Sequence, residues 1–239
     1  MGRSKGLSRV GLSAGITLLA AAAPAATPSP ITSCPYTISA PGSYAVVNNL
    51  VSSGTCITIL ANGVILDLQG HTITGNGTGH GIIDNQRGGD RTAPVQTDIT
   101  IKNGVISHFG TGVATSGTEF ATITEIIAQQ NTFDGIDFGN SSTMTSTSSL
   151  QNGRDGIEVG GNSSVVDVQA DRNGRHGFRT DAGNLSLTNV EASSNGGYGV
   201  NIFYNLTVFD SSFENNASGG ILLTFCCAVV INSKVNNNQ

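Results

Sequence analysis

Apolar and small polar residues alternate along much of the chain. In Leu185-Ser-Leu187 and Leu206-Thr-Val208, for example, every second residue is apolar. This alternation is the period of a β-strand with one buried face. Residues 131–239 lack the apolar spacing of a helix, so we expect no helix there. The pattern predicts a succession of short strands that share one core.

A short phrase returns between these strands at a nearly constant interval. It consists of Asn, three variable residues, Gly and an apolar residue, and its glycines are Gly135, Gly156, Gly177, Gly199 and Gly220. Successive glycines are 21, 21, 22 and 21 residues apart. This period is too short for helical repeats of about 34 residues or propeller blades of about 40. It accommodates three short strands and three turns, which predicts an all-β solenoid with coils stacked about 4.8 Å apart.

Residues at equivalent places in stacked coils should form columns that run along the solenoid. One predicted column holds the Asn of each phrase, and a second holds Asn140, Asn162, Asn184, Asn205 and Cys226. Asn tolerates positive φ, and its amide can bond to an Asn one coil away. The repeated Gly is explained either by a positive φ or by a tight approach to the core.

The composition excludes some classes of partner. Charged residues make up only 11% of the chain, and the net charge is −5. No basic stripe is present, so we expect no nucleic-acid partner. Low charge and abundant Gly also occur in disordered chains, but the apolar residues here keep their register from repeat to repeat, which favours a folded protein.

Residues 1–26 have the pattern of a secretory signal. A positively charged segment precedes the apolar run Val10–Ala23, and Ala23-Pro24-Ala25 is a small-residue cleavage site. The alternative is a membrane anchor, but about 14 apolar residues are short for a span. We therefore expect a secreted, extracellular or periplasmic protein without a membrane span in its mature form. Residues 27–54 are assigned to a linker and N-terminal cap, and residues 55–239 to the solenoid.

The cysteines agree with export. Cys34 and Cys56 flank the first recognisable strands, and a disulfide between them would hold the exposed N-terminal end of the solenoid together. Two unpaired buried thiols are the alternative. Cys226 and Cys227 are adjacent, and neighbouring strand residues point to opposite faces, so we expect one in the core and one in solvent.

The repeat resembles the right-handed parallel β-helix of the pectate-lyase-like superfamily over roughly residues 55–239. The segment Gly63-Val-Ile-Leu-Asp-Leu-Gln-Gly-His-Thr-Ile73 is similar to the opening coil of NosD-like β-helix proteins. The resemblance implies the fold. It does not imply one activity, because the same scaffold carries lyases, hydrolases, epimerases, adhesins and binding proteins.

The residues with the greatest chemical potential fall in two columns. The position before the repeated Gly holds Asp134, Asp155, His176 and then Tyr198, and the position three residues later holds Asp137, Glu158 and Arg179. In register, neighbours in a column lie about 5 Å apart. Close carboxylates cannot both ionise freely, which is the basis for acid–base work on a glycosidic bond.

The same residues allow a metal site, a binding site or a structural role. No cofactor is required for acid–base chemistry, but carboxylate oxygens on adjacent coils are also calcium ligands, so Ca²⁺ is a candidate cofactor. The candidates for substrate binding are Asp137, Glu158, Arg175, Arg179 and Tyr198. The two arginines could pair with the carboxylates of an acidic sugar. A purely structural band is the alternative, since Asp, Asn and His before a turn Gly often bond to nearby backbone.

Three motifs resemble those of polygalacturonase-type glycoside hydrolases. They are Asn131-Thr-Phe-Asp-Gly-Ile-Asp137, Gly153-Arg-Asp155 and Gly174-Arg-His-Gly177. The resemblance implies that Asp134, Asp155 and His176 are catalytic. The chain departs from the family pattern, because Phe133 is inserted and Arg154 stands where the proton-donating Asp is expected.

These observations predict a protein that acts on or binds an extracellular polysaccharide, one containing uronate. If it is an enzyme, we expect a polysaccharide lyase or a glycoside hydrolase. The alternative is a non-catalytic β-helix that serves as a structural, adhesive or carbohydrate-binding scaffold.

Overall fold

The computed structural model describes Gly2, residues 27–85 and residues 94–239, with the backbone alone at Cys226. The predicted signal, residues 1–26, lies outside the described residues apart from Gly2. The described strands are β1 (Ser29–Ile31), β2 (Tyr36–Ile38), β3 (Gly42–Val46), β4 (Leu50–Val51), β5 (Ile57–Ile59), β6 (Val64–Asp67), β7 (Thr72–Thr74), β8 (His80–Ile83), β9 (Gln96–Thr97), β10 (Ile99–Ser107), β11 (Thr111–Thr115), β12 (Thr118–Glu119), β13 (Thr122–Gln129), β14 (Ile136–Phe138), β15 (Thr143–Thr145), β16 (Ser148–Leu150), β17 (Ile157–Val159), β18 (Ser163–Asp171), β19 (Phe178–Thr180), β20 (Leu185–Ser193), β21 (Tyr198–Phe209), β22 (Ser212–Glu214), β23 (Gly219–Ile231) and β24 (Lys234–Asn236).

The strands wind into a solenoid whose neighbouring coils pair in parallel, as predicted. Strand β14 pairs with β17, β17 with β19 and β19 with β21, each in parallel. This register places Ile136, Ile157, Phe178 and Val200 in one interior column, and all four are buried. Parallel pairing also includes β1 with β3, within the segment assigned to the linker and cap. No described helix is long and apolar enough to cross a membrane.

Cys34 and Cys56 form a disulfide, which confirms the predicted pair. Their Cα atoms are 4.7 Å apart, and the bond joins residues 22 positions apart. Strand β2, which follows Cys34, pairs in parallel with β5, which follows Cys56. The disulfide therefore connects two neighbouring coils at the N-terminal end. At the other end, Cys227 is a free, exposed thiol.

The Asn of each repeated phrase lies inside the solenoid and forms a ladder. Each side-chain amide donates to the amide oxygen one coil further on, at 2.9–3.1 Å. The ladder contains Asn131, Asn152, Asn173, Asn195, Asn216 and Asn238. Its first five members are at most 2% exposed. Each amide thus satisfies buried backbone groups at a turn, where an unpaired group would be costly.

The Asn ladder explains why Gly recurs at the same place in each coil. A Cβ on Gly156 would stand 2.5 Å from the Asn173 amide nitrogen and 2.8 Å from the Gly177 carbonyl oxygen. Gly156 is not among the residues with positive φ. Of the two reasons that the sequence allows for this Gly, the tight approach to the core is therefore the correct one.

The second predicted column needs a correction at both ends. Asn162, Asn184 and Asn205 do share a corner with positive φ, and their amides bond from coil to coil at 2.8–2.9 Å. The strand register, however, places Ser141 and Cys227 in this column rather than Asn140 and Cys226. At the C-terminal end the cause is a bulge, because one extra residue enters β23 between the partners of Ile202 and Tyr204.

Candidate functional site

The structure brings the predicted columns together on one face of the solenoid. The backbone N–H groups of Gly135, Gly156 and Gly177 donate, at 2.8–3.0 Å, to the carbonyl oxygens of Asp155, His176 and Tyr198 respectively. The first column, Asp134, Asp155, His176 and Tyr198, therefore lies on successive coils. The second column also aligns, because Asp137 pairs in register with Glu158 and Glu158 with Arg179. Both columns therefore border the start of the same parallel strands.

Three carboxylates meet where the two columns adjoin. One oxygen from each of Asp134, Asp155 and Glu158 lies within 4.8 Å of the others. Asp134 and Asp155 are at most 1% exposed, whereas Glu158 is half-buried. The first two carboxylates are therefore not part of a solvated surface band, although sequence alone allowed that interpretation.

Asp155 is held in a bidentate ion pair with Arg175. The Arg175 Nε donates to Asp155 Oδ1 at 2.7 Å, and Arg175 Nη2 donates to Oδ2. The backbone N–H of His176 also donates to Oδ1, at 3.1 Å. The hydrogen bond with Asp155 raises the pKa of Arg175 above its ordinary value. Two of the predicted site residues are thus paired with each other and are not free for a substrate.

Asp134 has a different environment. Its Oδ1 accepts a hydrogen bond from the backbone N–H of Asp155 at 3.1 Å. Its Oδ2 is buried and accepts no hydrogen bond from the described residues. The guanidinium of Arg154 lies nearby, with Nη1 3.8 Å from Oδ2 and a side chain that is 44% exposed. A buried acceptor without a donor is energetically unfavourable, so Oδ2 is suited to a hydroxyl or water donor.

Glu158 is the acid of the outward column. Arg179 Nη1 donates to Glu158 Oε1 at 2.8 Å, and the same guanidinium also contacts Asp181. Burial raises the pKa of Glu158 above its ordinary value, while Arg179 opposes this rise and the nearby Asp134 and Asp155 add to it. The raised pKa of Glu158 favours this residue as a proton donor.

His176 has both ring nitrogens engaged. The backbone N–H of Tyr198 donates to His176 Nδ1 at 3.0 Å, and the Asn201 amide lies 3.1 Å from Nε2. The Tyr198 ring stacks on the imidazole, with centroids 5.7 Å apart and an interplanar angle of 26°. Burial lowers the pKa of His176. Because Nδ1 accepts the Tyr198 N–H, the neutral ring carries its proton on Nε2, and Asn201 accepts that proton with its amide oxygen turned towards the ring.

Charges within the cluster of three carboxylates are balanced. Each carboxylate of the cluster faces one guanidinium: Asp134 faces Arg154, Asp155 faces Arg175, and Glu158 faces Arg179. Calcium prefers six to eight oxygen ligands, and both Asp155 oxygens are taken by Arg175. The three carboxylates therefore do not fit calcium while this ion pair is intact.

A groove of about 440 Å³ adjoins the outward column. It is lined by Asp137, Glu158 and Asp181, together with the small residues Gly139 and Gly160. A larger groove of about 590 Å³ lies at another corner, between Ser146 and Ser212, and contains none of the predicted site residues. The first groove is therefore the concave surface that belongs to the candidate site.

Three residues of the site were not predicted. Asn201 bonds to His176, Asp181 pairs with Arg179, and Arg154 faces Asp134. Asn201 stands in register with Arg179, so the column itself was the signal. Arg154 interrupted the hydrolase-like motif, and its charge next to a buried carboxylate explains its presence. Asp181 lies just beyond the strand, where the sequence carries no periodic signal.

The fold and this face define a parallel β-solenoid with a buried, charge-balanced polar site. The chain belongs to the family described as the right handed beta helix region, whose model matches residues 111–239. Among curated proteins no match to the chain is found.

Several solved structures share the fold. The periplasmic alginate epimerase AlgG is 14% identical, with a TM-score of 0.59 over 84% of this chain and 61% of that chain. The enzymatically active domain of bacteriophage CBA120 tailspike protein 2 is 15% identical, with a TM-score of 0.53 over 80% and 42%. The A-module of the Azotobacter vinelandii mannuronan C-5 epimerase AlgE6 is 15% identical, with a TM-score of 0.50 over 77% and 70%.

This chain spans between about half and three fifths of the AlgG structures that it matches. At such low identity the likeness concerns the fold. It agrees with the predicted right-handed parallel β-helix, and two of these three neighbours are named as an alginate epimerase and a mannuronan epimerase.

Proposed function

We propose that this protein binds an extracellular polysaccharide along the face that carries Asp134, Asp155, His176 and Glu158. The observation that carries the proposal is the buried Oδ2 of Asp134, which accepts no hydrogen bond from the described residues and lies beside the exposed guanidinium of Arg154. A sugar hydroxyl would supply the missing donor. A uronate carboxylate would pair with Arg154, whose present contact with Asp134 at 3.8 Å is long.

Export to an oxidising compartment, extracellular or periplasmic, is part of the proposal. The disulfide between Cys34 and Cys56 supports it, because disulfides persist mainly in such compartments. The signal-like residues 1–26 and the periplasmic location named for AlgG agree with it.

If the face is catalytic, Glu158 is the proton donor that its environment favours. Its raised pKa keeps it protonated over a wider pH range, whereas Asp155 is fixed by Arg175 and both nitrogens of His176 are engaged. Asp134 would then orient the sugar. This assignment differs from the one implied by the polygalacturonase-type motifs, in which Asp155 is catalytic.

Binding without catalysis is the second candidate, and a specific observation favours it. The pairing of Asp155 with Arg175 and the double engagement of His176 leave two of the three expected catalytic groups in structural roles. On this alternative the charged face is a recognition surface and releases no product.

One experiment separates these functions. The protein from residue 27 onwards is incubated with pectate and with alginate, first with calcium and then with a chelator, and both bound polymer and products are measured. New reducing ends without unsaturated products would support hydrolysis, and unsaturated products would support a lyase. A requirement for calcium would mean that a metal site forms when Arg175 releases Asp155.

Variants identify the residues. For an enzyme, Glu158→Gln should abolish product formation while binding persists. For a binding protein, Asp134→Ala should weaken retention by the polymer, and Asp167→Ala, an acidic residue at another corner, serves as the matched control. If no polysaccharide is bound or altered by the folded protein, the proposed function is wrong.

A further inference from the structure

Three aromatic rings meet on the surface near the C-terminal end of the candidate groove. The rings of Tyr204 and Phe225 stack with centroids 4.9 Å apart and an interplanar angle of 13°. Phe203 lies 5.8 Å from Phe225. Tyr204 is 43% exposed and Phe225 is 60% exposed, so these rings form an apolar surface in contact with solvent. We call these three side chains the aromatic platform.

A break in the regular solenoid produces the platform. In β21 and β23, Ile202 is in register with Leu223, but Tyr204 is in register with the residue at 226, so β23 contains one extra residue. The extra residue falls at Thr224 or Phe225. Bulges redirect side chains and are frequent beside binding and active sites. Here the bulge lies opposite Phe203 and Tyr204, where Phe225 stacks on Tyr204.

The platform continues the groove of about 440 Å³. Thr180 is in register with Ile202, so Asp181 stands one coil before Phe203. Gly183 adjoins Tyr204, because a Cβ on Gly183 would lie 3.1 Å from the Tyr204 Cβ. Asp181 and Ala182 line the groove. Small residues line the groove up to this point, and the next two coils carry the aromatic rings. A chain lying in the groove would therefore meet the platform about 5 Å further along the solenoid.

We propose that the aromatic platform is a stacking subsite for one pyranose ring of the polysaccharide bound in the groove. The inference rests on the proposed function and names the kind of sugar at this position. Glu158 and Asp181 line the groove and share the single guanidinium of Arg179. Two carboxylates that divide one positive charge leave this end of the groove acidic. Such a surface repels a uronate, so the ring on the platform is a neutral sugar.

Core packing and a protein partner account for the rings less well than a sugar does. If the rings served only to pack the solenoid, they would be buried as Phe138, Phe178 and Phe213 are. A protein partner that covered the exposed apolar residues of this end, such as Val229 and Ile231, would not account for the adjoining groove, which is lined with carboxylates. The exposed pair of Tyr204 and Phe225 beside these hydrogen-bonding groups matches the apolar face and the hydroxyl edge of a pyranose.

The test compares four proteins: the wild type, Phe225→Leu, Tyr204→Phe and Tyr204→Ala. Phe225→Leu keeps an apolar side chain but removes the ring, and Tyr204→Phe keeps the ring. Binding of a neutral glucomannan oligosaccharide and of a mannuronate oligosaccharide is measured by calorimetry. Circular dichroism and thermal melting establish that each variant is folded.

We expect Phe225→Leu and Tyr204→Ala to bind the neutral probe roughly 3- to 10-fold more weakly, the loss expected for one aromatic stacking contact. Tyr204→Phe should bind it as the wild type does. Val229→Ala, an exposed apolar residue on the same strand, is the control and should have no effect.

The outcomes distinguish the two proposals. Wild-type protein that binds neither these oligosaccharides nor the polymers would refute the proposed function. Wild-type protein that binds a probe, with ring variants that bind it equally well, would refute the platform alone. Equal losses for the neutral and the acidic probe would overturn the assignment of a neutral sugar.

Discussion

The buried asparagine ladder offers a quantitative test of how the solenoid is stabilised. We consider Asn152→Ala. Asn152 Oδ1 accepts hydrogen bonds from the backbone N–H and the side-chain amide of Asn131, at 3.0 and 2.9 Å. Its Nδ2 lies 3.0 Å from the Asn173 amide oxygen and 3.2 Å from the Ala128 carbonyl oxygen. The substitution removes all four contacts from a site that is 2% exposed.

The expected loss follows from the groups that remain. Two donors of Asn131 lose their acceptor, and each buried donor left unpaired costs about 1–3 kcal/mol. A small cavity adds to this cost, so we expect the free energy of unfolding to fall by about 3–5 kcal/mol. For a chain of this size, each kcal/mol lowers Tm by about 2–4 °C, so Tm should fall by roughly 10 °C.

The assay is thermal melting followed by circular dichroism, with Asn184→Gly as the matched control. Asn184 belongs to the exposed corner ladder and has a φ of 60°, which Gly tolerates. Its hydrogen bonds compete with water, so its removal should cost less than about 1 kcal/mol. Equal melting temperatures for the two variants would refute the view that the interior ladder is the main polar support of the coils.

Further predictions concern the site and the backbone. Arg175→Met should destabilise the protein by about 3–5 kcal/mol in urea unfolding, because the buried Asp155 loses its counter-charge. A change within about 1 kcal/mol would contradict the view that Arg175 neutralises this buried carboxylate. Burial lowers the pKa of His176, so NMR titration should give a pKa below 6.5, and a value above 6.5 would contradict this prediction. The stability that His176 contributes should be lost as pH falls through its folded pKa. Burial raises the pKa of Asp171 in the folded protein. The stability that this carboxyl contributes is therefore present below its unfolded pKa and is lost as pH rises through its folded pKa. Asp171→Asn should remove this pH-dependent loss of stability.

The fold could be predicted because the sequence repeats its own constraints. Each coil needs an amide and a Gly at the same interior turn, and the spacing of Gly135, Gly156 and Gly177 therefore reveals the coil length. The Asn ladder was expected on the same ground and is present. The bulge in β23 was not predictable, because residues 221–231 are almost continuously apolar and their sequence does not mark where one residue is added.

The site was only partly predictable from the sequence. Its columns follow from the repeat, so the proximity of Asp134, Asp155 and Glu158 could be expected. Burial and pairing could not, because they depend on the direction of each side chain at the turn. That is why the sequence treats Asp155 and Arg175 as independent groups, whereas the structure joins them. The catalytic roles of Asp134, Asp155 and His176 stay predictions.

This solenoid has amides in its interior and a cluster of aromatic rings on its surface, and the two features have different causes. Interior Asn such as Asn173 satisfies backbone groups that every coil repeats, so the fold itself requires it. The exposed rings of Tyr204 and Phe225 satisfy no group of the fold, and their mutual stacking buries only part of each ring. These exposed rings lie at the register break between β21 and β23 and at the end of a groove. Because the scaffold does not need them, a bound ligand explains them better than a contribution to stability does.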